Sequence, residues 1–263
     1  MKQQENLLTD LNQRNQLSRE SKTMLFDVQG TIDRRILVNY RIDPEVLAGE
    51  LPAPFRPQTV QGYGIGGICL IRLRNLRPRG VPAVFGMSSE NAAHRIAVEW
   101  DTDGDTRSGV YVARRDTDSQ VNSMLGGTLF PGLFKPASFE VDESNDRFEV
   151  AMTSEIDETQ TAVTGKANGS LPEDSIFDSL QAVSAFMENG SMGYSPTEQE
   201  GEYDSMDLHI PDWEVQPFSV DAVKSSYFDD FPAGAAKFDN ALLMRGAYHE
   251  WHEGEPITAT AGA

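Results

Sequence analysis

The 263-residue chain is strongly acidic, with 41 acidic against 22 basic residues and a net charge of −19. This charge excludes nucleic acid and anionic lipid surfaces as partners, because both would be repelled. No run of about 18 apolar residues is present, so the sequence predicts no membrane span. The length fits one large domain or two small ones.

The sequence also indicates the cellular compartment and the chemistry of the surface. The N-terminus lacks the apolar centre of a secretory signal, so we expect a cytoplasmic location. Cys69 is the only cysteine, which rules out an intramolecular disulfide and a cysteine-based metal cage. Few lysines and many carboxylates fit either a halophilic protein of a saline cytoplasm or an ordinary acidic protein.

The first third of the chain alternates between strand and helix patterns. Residues 1–23 carry no persistent apolar stripe and are expected to form a mobile tail. Residues 34–42 have the pattern of a buried strand, and Asp43 followed by proline predicts a helix start. The glycine-rich run 62–67 leads into a strand, which argues against a phosphate loop and for close backbone packing.

Hairpins dominate the middle of the chain. The first joins 94–100 to 107–114 across a turn rich in Asp and Gly, and the second covers 137–153 with one solvated face. A helix is predicted over 117–127 and a further strand over 159–168.

The clearest predicted helix covers Ser175–Glu188. Ser175 with Asp178 resembles a capping box, and Gly190 would end the helix. Strand-like segments follow at 205–210, 212–220 and 241–247, and a mobile tail is expected over 254–263. Antiparallel hairpins with short helices between them predict a single α+β domain over 24–253, built on a large antiparallel sheet or barrel.

Three segments resemble a known superfamily. Residues 34–55, RRILVNYRIDPEVLAGELPAPF, look like the opening strand, short helix and proline-rich turn of acetoacetate decarboxylases. Residues 121–142 are similar to that family's central segment, in which an aromatic-Pro pair precedes a strand ending in Val-Asp. Leu73–Pro82 is similar to a stretch of an uncharacterised branch, the YqjF-like conserved proteins. The resemblance implies an acetoacetate decarboxylase-like antiparallel β-barrel or cone, with flanking short helices and an internal cavity.

The resemblance also implies which positions would carry the decarboxylase chemistry. In the decarboxylases two adjacent lysines follow the aromatic-Pro pair; the first forms a Schiff base and the second lowers its pKa. Here Phe130 and Pro131 are followed by Gly132 and Leu133. The family's strand glutamate also has no counterpart in Gly64–Cys69. The resemblance therefore supports the fold and argues against Schiff-base decarboxylation.

Lys135 is the remaining candidate nucleophile. It lies close in sequence to Phe134 and Phe139, and a lysine in apolar surroundings can lose its charge near neutral pH. On a strand, the three residues from Gly132 cover roughly 10 Å and turn the side chain to the other face. The alternative is a lysine at the barrel rim with its stem on apolar surface.

Strand arginines are candidate ligand-binding residues, because a guanidinium can hold a carboxylate by two parallel hydrogen bonds. Arg114 is favoured since it shares the inward parity of Val110 and Val112. Arg41 and Phe130 are further candidates for the same role.

Three functional hypotheses remain, and whether the protein is an enzyme stays open. The leading one is binding of a small carboxylate-bearing molecule in the barrel, without Schiff-base chemistry. The second is a lyase, of decarboxylase or aldolase type, that uses Lys135, or Arg114 with Glu99 if Glu99 faces a polar cavity rather than water. The third is a non-catalytic scaffold that forms a homo-oligomer. No cofactor or metal is expected, because the two histidines of 249–252 do not have the His-Glu-x-x-His spacing.

Overall fold

A computed structural model of the protein describes residues 27–102, 104–119 and 132–259. The strands are β1 (Val28–Ile42), β2 (Arg56–Pro57), β3 (Thr59–Val60), β4 (Tyr63–Pro78), β5 (Met87–Thr102), β6 (Asp105–Thr117), β7 (Phe134–Ser144), β8 (Arg147–Ser154), β9 (Gln160–Ala167), β10 (Met192–Pro196), β11 (Glu202–His209), β12 (Gln216–Ser225), β13 (Ala236–Glu253) and β14 (Ile257–Thr258). The helices are α1 (Pro44–Glu50), α2 (Leu180–Asn189) and α3 (Ser226–Asp229), and a 3₁₀ turn lies at Ala83–Phe85.

The strands form a 14-stranded sheet that closes on itself twice. The first ring runs from β6 through β7, β8, β9, β12, β13, β1, β4 and β5 back to β6. The second ring leaves β6 through β10 and β11 and rejoins at β13. Both rings share a wall made of β13, β1, β4, β5 and β6. The described pairs are antiparallel except those of β6 with β7 and with β10, so the predicted α+β class with an antiparallel barrel is confirmed.

The shared wall is buried on both faces, which explains the nearly continuous apolar runs of its strands. Successive side chains of a strand point to opposite faces. Ile36 and Val38 of β1 therefore belong to one core, together with Phe148 of β8. Leu37 belongs to the other core, together with Met187 of α2. The wall separates two interiors, and each can hold its own set of polar side chains.

Close packing in the glycine-rich run of β4 is confirmed. A Cβ atom on Gly64 would lie 2.5 Å from Leu47 Cδ1, and one on Gly66 would lie 2.6 Å from Ile42 Cδ1. Neither position has room for a side chain, so α1 and the end of β1 pack directly against the β4 backbone. The predicted start of α1 is also confirmed, since the Asp43 carboxylate accepts a hydrogen bond from the Glu45 N–H at 2.9 Å.

The helix predicted over Ser175–Glu188 begins at Leu180 instead. The Ser175 hydroxyl donates to Asp239 at 2.7 Å, and this contact holds the segment in a non-helical path. Ser179 is the cap, and its hydroxyl accepts from the Ala182 N–H at 3.1 Å. A long-range partner thus overrides the local capping pattern.

The remaining predictions divide between the described and the undescribed parts of the chain. Both central hairpins and the strand predicted over 159–168 are confirmed as β5–β6, β7–β8 and β9. The strand predicted over 212–220 begins at Gln216. Most of the helix predicted over 117–127, the candidate residue Phe130 and the 1–23 tail lie outside the described residues. Ile257–Thr258, within the segment expected as a C-terminal tail, pairs with β11. Of the helices described, none is both long enough and apolar enough to cross a membrane.

Candidate functional site

Adjacent polar residues of the shared wall point to opposite interiors. The three pairs are Arg34 and Arg35 on β1, His94 and Arg95 on β5, and Arg114 and Arg115 on β6. The first member of each pair faces the first ring, where carboxylates meet the arginines. We call that side the carboxylate-paired face and define it by Arg34, Arg72, Arg114 and the acidic residues they contact. The second members face the other interior, and we call their surroundings the arginine pocket. We define it by Arg35, Arg95 and Arg115 with their hydrogen-bond partners Cys69, Asn39 and Ser195.

On the carboxylate-paired face, Arg34 has no exposed surface and is neutralised by two carboxylates. Its Nη2 donates to Glu90 at 2.5 Å and its Nη1 to Glu143 at 2.6 Å. Arg72 contacts the same two carboxylates, with Nη1 lying 3.1 Å from Glu143 Oε1. Two positive and two negative charges meet there, which satisfies the requirement that buried charges be paired.

Arg114 is likewise held by carboxylates of its own chain. It is not free to bind a ligand, as the sequence had suggested. Its Nε and Nη2 donate to Asp116 at 2.7 and 2.6 Å, and its Nη1 donates to Asp157 at 2.7 Å. Burial lowers the pKa of Arg114, but the hydrogen bonds it donates to both carboxylates, together with their negative charge, outweigh burial and leave that pKa raised. The guanidinium therefore remains charged while holding two carboxylates of its own chain.

Lys135 lies on the carboxylate-paired face as well. Its Nζ is 3.1 Å from Asp157 Oδ2, and its side chain is 40% exposed. Hydrogen bonds from Arg114, and more weakly from Lys135, hold the pKa of Asp157 well below its usual range. The amine is ion-paired and partly solvated, as in the alternative of a lysine at the rim.

Glu99 and Arg41 are not brought together with Lys135. Glu99 faces Arg56, with Oε2 3.6 Å from Nε, and its register partner Ser108 lies six residues from Arg114 on β6, or roughly 20 Å along the strand. Arg41 contacts Asp174 and Asp239 and lines an open cavity of about 630 Å³. The catalytic pairing of Glu99 with Arg114 or Lys135 therefore has no geometric basis.

The arginine pocket depends on small residues in the wall. Arg95 extends across β4 at Gly67, and its Nη2 donates to Asn39 Oδ1 at 2.5 Å. A Cβ atom on Gly67 would lie 3.2 Å from that nitrogen and 2.5 Å from the Val38 carbonyl oxygen. Glycine at this position leaves the path for the guanidinium open.

The other two arginines of the pocket also have neutral partners. Arg35 Nε donates to Cys69 Sγ at 3.3 Å. Arg115 donates to Ser195 Oγ from Nε at 3.1 Å and from Nη2 at 3.0 Å. The Arg115 guanidinium also lies 5.7 Å from the centroid of the Phe134 ring.

No carboxylate among residues 27–102, 104–119 and 132–259 forms an ion pair with Arg35, Arg95 or Arg115. In the same ranges, Arg35 Nη1 and Arg95 Nε are buried without a hydrogen-bond partner. Arg95 is 6% exposed. Burial lowers the pKa of Arg95 and of Arg115 to about 10, so both stay charged at neutral pH. The pocket thus concentrates positive charge in a chain whose net charge is −19.

Gly132, at the first lysine position implied by the resemblance, borders this pocket. A Cβ atom there would lie 3.4 Å from Arg115 Nε but only 2.7 Å from Ser195 Cβ. The backbone φ of +91° is also unfavourable for any residue with a side chain. Leu133, at the second lysine position, is 47% exposed. Arg115 therefore lies beside the position at which the resemblance implies the first lysine.

The pocket arginines were missed because strand parity alone does not locate them. A register shift separates His94 from Arg95, with His94 opposite Arg114 and Arg95 opposite Val112. Ala113 is the extra residue of this β-bulge on β6, so Arg115, and not Arg114, shares the face of Val112. A signal was present in the sequence, since Arg95 follows an Ala-Ala-His stretch and lies across from Gly67 in an apolar run.

Comparison with known proteins identifies the family. A family model described as an uncharacterized conserved protein, DUF2071, matches residues 30–243. The chain belongs to this family. No curated protein sequence matches it.

Solved structures show the fold. Acetoacetate decarboxylase from Legionella pneumophila has a TM-score of 0.59 at 9% identity, covering 89% of this chain and 87% of that one. An acetoacetate decarboxylase-like enzyme from Sphingomonas wittichii has a TM-score of 0.57 at 14% identity, covering 90% and 93%. The enduracididine biosynthesis enzyme MppR, in complex with pyruvate, has a TM-score of 0.53 at 12% identity, covering 89% and 90%. This DUF2071 chain therefore has the acetoacetate decarboxylase-like fold predicted from its sequence.

Proposed function

We propose that the protein binds a small carboxylate-bearing molecule in the arginine pocket, without Schiff-base chemistry. One observation carries the proposal: Arg35, Arg95 and Arg115 have no carboxylate partner among the described residues. Burying an unpaired guanidinium costs several kcal/mol. The chain has 41 acidic residues, and the carboxylates that pair with arginines of the wall lie on its other face. An anionic ligand would supply the missing charge.

A small void lies between two of the pocket arginines and α2. Arg35 and Arg95 line a void of about 30 Å³ together with Phe186 and Met187 of α2. That is about the volume of one water molecule in the liquid. A carboxylate placed there would accept hydrogen bonds from the unpartnered Arg35 Nη1 and Arg95 Nε, while the apolar side chains of α2 exclude water.

The structural relatives support the ligand class. The MppR structures include complexes with pyruvate and with a condensation product of pyruvate. Pyruvate is a small oxo-acid, and its binding in a related fold supports a small carboxylate as the ligand class for this chain. At 12% sequence identity, the ligand-binding residues of MppR cannot be assigned to positions of this chain.

A thermal-shift titration tests the proposal. Small mono- and dicarboxylates, with and without an oxo group, are added at concentrations up to about 20 mM. The ionic strength is held constant, and chloride is the reference anion. We expect at least one carboxylate to raise the melting temperature of the wild type, because a ligand that binds only the folded state stabilises it. Arg95→Met should abolish the shift. Arg147→Met, which removes a surface ion pair with Asp221, should keep it. A wild type that responds to none of the acids contradicts the proposal.

A lyase that uses Lys135 is the competing function, and the contacts of Lys135 disfavour it. The amine is paired with Asp157, on the opposite face of the wall from the pocket. Ion pairing stabilises the charged form of an amine, whereas a Schiff base forms from the neutral one. Borohydride treatment in the presence of an oxo-acid should leave no reduced adduct on Lys135 in mass spectrometry; an adduct on that residue would favour the lyase.

A further inference from the structure

We infer that the ligand of the arginine pocket is a small amino acid whose ammonium group is set apart from its carboxylate by a short chain. The carboxylate binds at Arg35, and the ammonium group binds at Glu188 and Asp207. The inference rests on the proposed function, because it names the ligand class of the same site. It depends on a second cavity, which the proposed function does not use.

A cavity of about 260 Å³ adjoins the small void beside Arg35. Arg35, Met187 and Gly190 line both the void and the cavity, so the two spaces meet at these residues. The rest of the lining comes from the end of α2, from β11 and from the segment that follows β11. The volume lies just below the roughly 300–1,000 Å³ of pockets for drug-sized ligands. The cavity therefore admits a molecule of the size of a small amino acid.

Arg35 is held in place in this cavity with a donor to spare. Its Nε donates to Cys69 Sγ at 3.3 Å, and its guanidinium carbon lies 5.8 Å from the centroid of the Trp213 ring. The Trp213 Nε1–H donates to Ser184 Oγ at 3.0 Å, which fixes the ring. Arg35 Nη1 is buried without a hydrogen-bond partner in the described part of the chain, as is Nε of Arg95, which is 6% exposed and lines the adjoining void. These two donors mark the place for a carboxylate.

Two carboxylates line the same cavity and leave Arg35 unpaired. Glu188 lies near the end of α2 and is exposed, and Asp207 lies on β11 and is half-buried. Neither forms an ion pair with Arg35 or with another cation among residues 27–102, 104–119 and 132–259, so their oxygens lie more than 4.0 Å from the Arg35 nitrogens. The cavity thus keeps positive and negative groups apart. A ligand with an ammonium group and a carboxylate supplies the partner that each of them lacks.

The charge of the whole chain favours the same ligand class. A net charge of −19 repels an anion that approaches from solution, and Glu188 and Asp207 add to this repulsion at the cavity. A zwitterion has no net charge and is not repelled in this way. Within the cavity its carboxylate is attracted to Arg35, and its ammonium group is attracted to Glu188 and Asp207.

Isothermal titration calorimetry with matched pairs of acids tests the inference. The probes are β-alanine against propionate, 4-aminobutyrate against butyrate, and 5-aminopentanoate against pentanoate, so that each pair has the same carbon chain and differs in one amino group. Titrations are run at constant ionic strength. We expect at least one of the amino acids to bind about 10-fold or more tightly than its plain partner, because it gains a hydrogen bond between charged groups.

Two variants locate the ammonium group. Glu188→Gln combined with Asp207→Asn should bring the affinity ratio of that pair close to one. The plain acid should still bind, because Arg35 and Arg95 are intact. Asp212→Asn is the matched control and should leave the ratio unchanged, since Asp212 is an exposed carboxylate close in sequence that does not line the cavity. Denaturation midpoints are measured for both variants, so that loss of folding is separated from loss of binding.

The outcomes separate this inference from the proposed function. Equal affinities of the wild type for the amino acids and the plain acids overturn the amino-acid inference and leave carboxylate binding in place. A ratio that survives in the double variant also overturns it, because the ammonium group would then bind elsewhere. Binding of neither kind of acid overturns both the inference and the proposed function.

Discussion

The carboxylate-paired face and the arginine pocket lie on the two sides of one wall of strands and have opposite charge balance. Arg34 and Arg114 each hold two carboxylates, whereas Arg35 and Arg115, their immediate neighbours in sequence, hold a thiol and a hydroxyl. Arg34 and Arg114 are buried, whereas Arg35 and Arg115 are half-buried. In this acidic chain, the absence of carboxylates around the described pocket arginines identifies the candidate site.

The comparison also separates structural from functional charge. Buried ion pairs that are fully matched are costly to break, because removing one partner leaves the other buried and unpaired. An unmatched buried charge is costly to keep, so its removal is neutral or favourable when no ligand is bound. Substitutions on the two faces should therefore change stability in opposite directions.

The largest effect is expected on the carboxylate-paired face. Arg34→Met removes the cation between Glu90 and Glu143 and should lower the free energy of unfolding by roughly 3–5 kcal/mol. Chemical denaturation measures the change. Arg147→Met, at a surface ion pair, serves as the control and should stay within about 0.5 kcal/mol of the wild type. A loss no greater than that of the control would mean that the face is not held together by its ion pairs.

The matching substitution in the pocket should act in the other direction. Arg95→Met removes a buried, unmatched guanidinium and should leave the ligand-free protein as stable as the wild type, or more stable by about 1–2 kcal/mol. Denaturation without added carboxylate measures this. A loss as large as that in Arg34→Met would show that Arg95 is matched by a partner within the protein and would remove the basis of the proposed function.

A smaller effect on stability is expected at Gly132, which borders the pocket at the first lysine position implied by the resemblance. Gly132→Ala places a Cβ atom 2.7 Å from Ser195 Cβ at a φ of +91°, and should lower the free energy of unfolding by at least about 1 kcal/mol. Gly49→Ala, at a helical position with open space around it, is the matched control and should not be destabilising. Equal stability of the two variants would show that Gly132 can accommodate a side chain.

A dependence of stability on pH is expected from both sides of the wall. Burial lowers the pKa of His94 to about 3 and that of His249 to about 4, so each is neutral in the folded protein. Below about pH 6.5 the unfolded chain binds protons that the folded chain does not, and stability therefore falls as the pH decreases. The stabilising contribution is fully present above about pH 6.5.

Urea denaturation between pH 7 and pH 5 measures this dependence. His249→Leu should flatten the slope, because one of the two buried groups no longer titrates. Identical slopes in the wild type and in His249→Leu would contradict the assignment of a neutral buried histidine at this position.

Local patterns in the sequence were sufficient to predict the framework of the fold. Alternating apolar residues located the hairpins, Asp43 and its following proline located α1, and the glycine-rich run predicted close packing. Each of these features depends on neighbours in sequence. The resemblance to the decarboxylases supplied what local patterns could not: the closed barrel, and the replacement of a lysine pair by Gly132 and Leu133.

The candidate site could not be predicted in the same way, because its residues depend on contacts that are distant in sequence. The bulge places Arg114 on the opposite face from Val110 and Val112, against the parity assigned to it, and Asp157, 43 residues away, occupies its guanidinium. The bulge beside Arg95 and the carboxylates missing around Arg115 become visible only once the strands are in register. Ser175 failed as a cap for the same reason, since Asp239 lies 64 residues away.

The central claim is that the arginine pocket, and not the carboxylate-paired face, binds an anion. Nuclear magnetic resonance of the arginine Nε–H groups, recorded during titration with butyrate or 4-aminobutyrate, tests it most directly. The account predicts saturable shifts for Arg35 and Arg95, while Arg34, Arg72 and Arg114 keep their signals. Shifts confined to exposed arginines such as Arg79, or no shifts in the pocket at saturating acid, would contradict it.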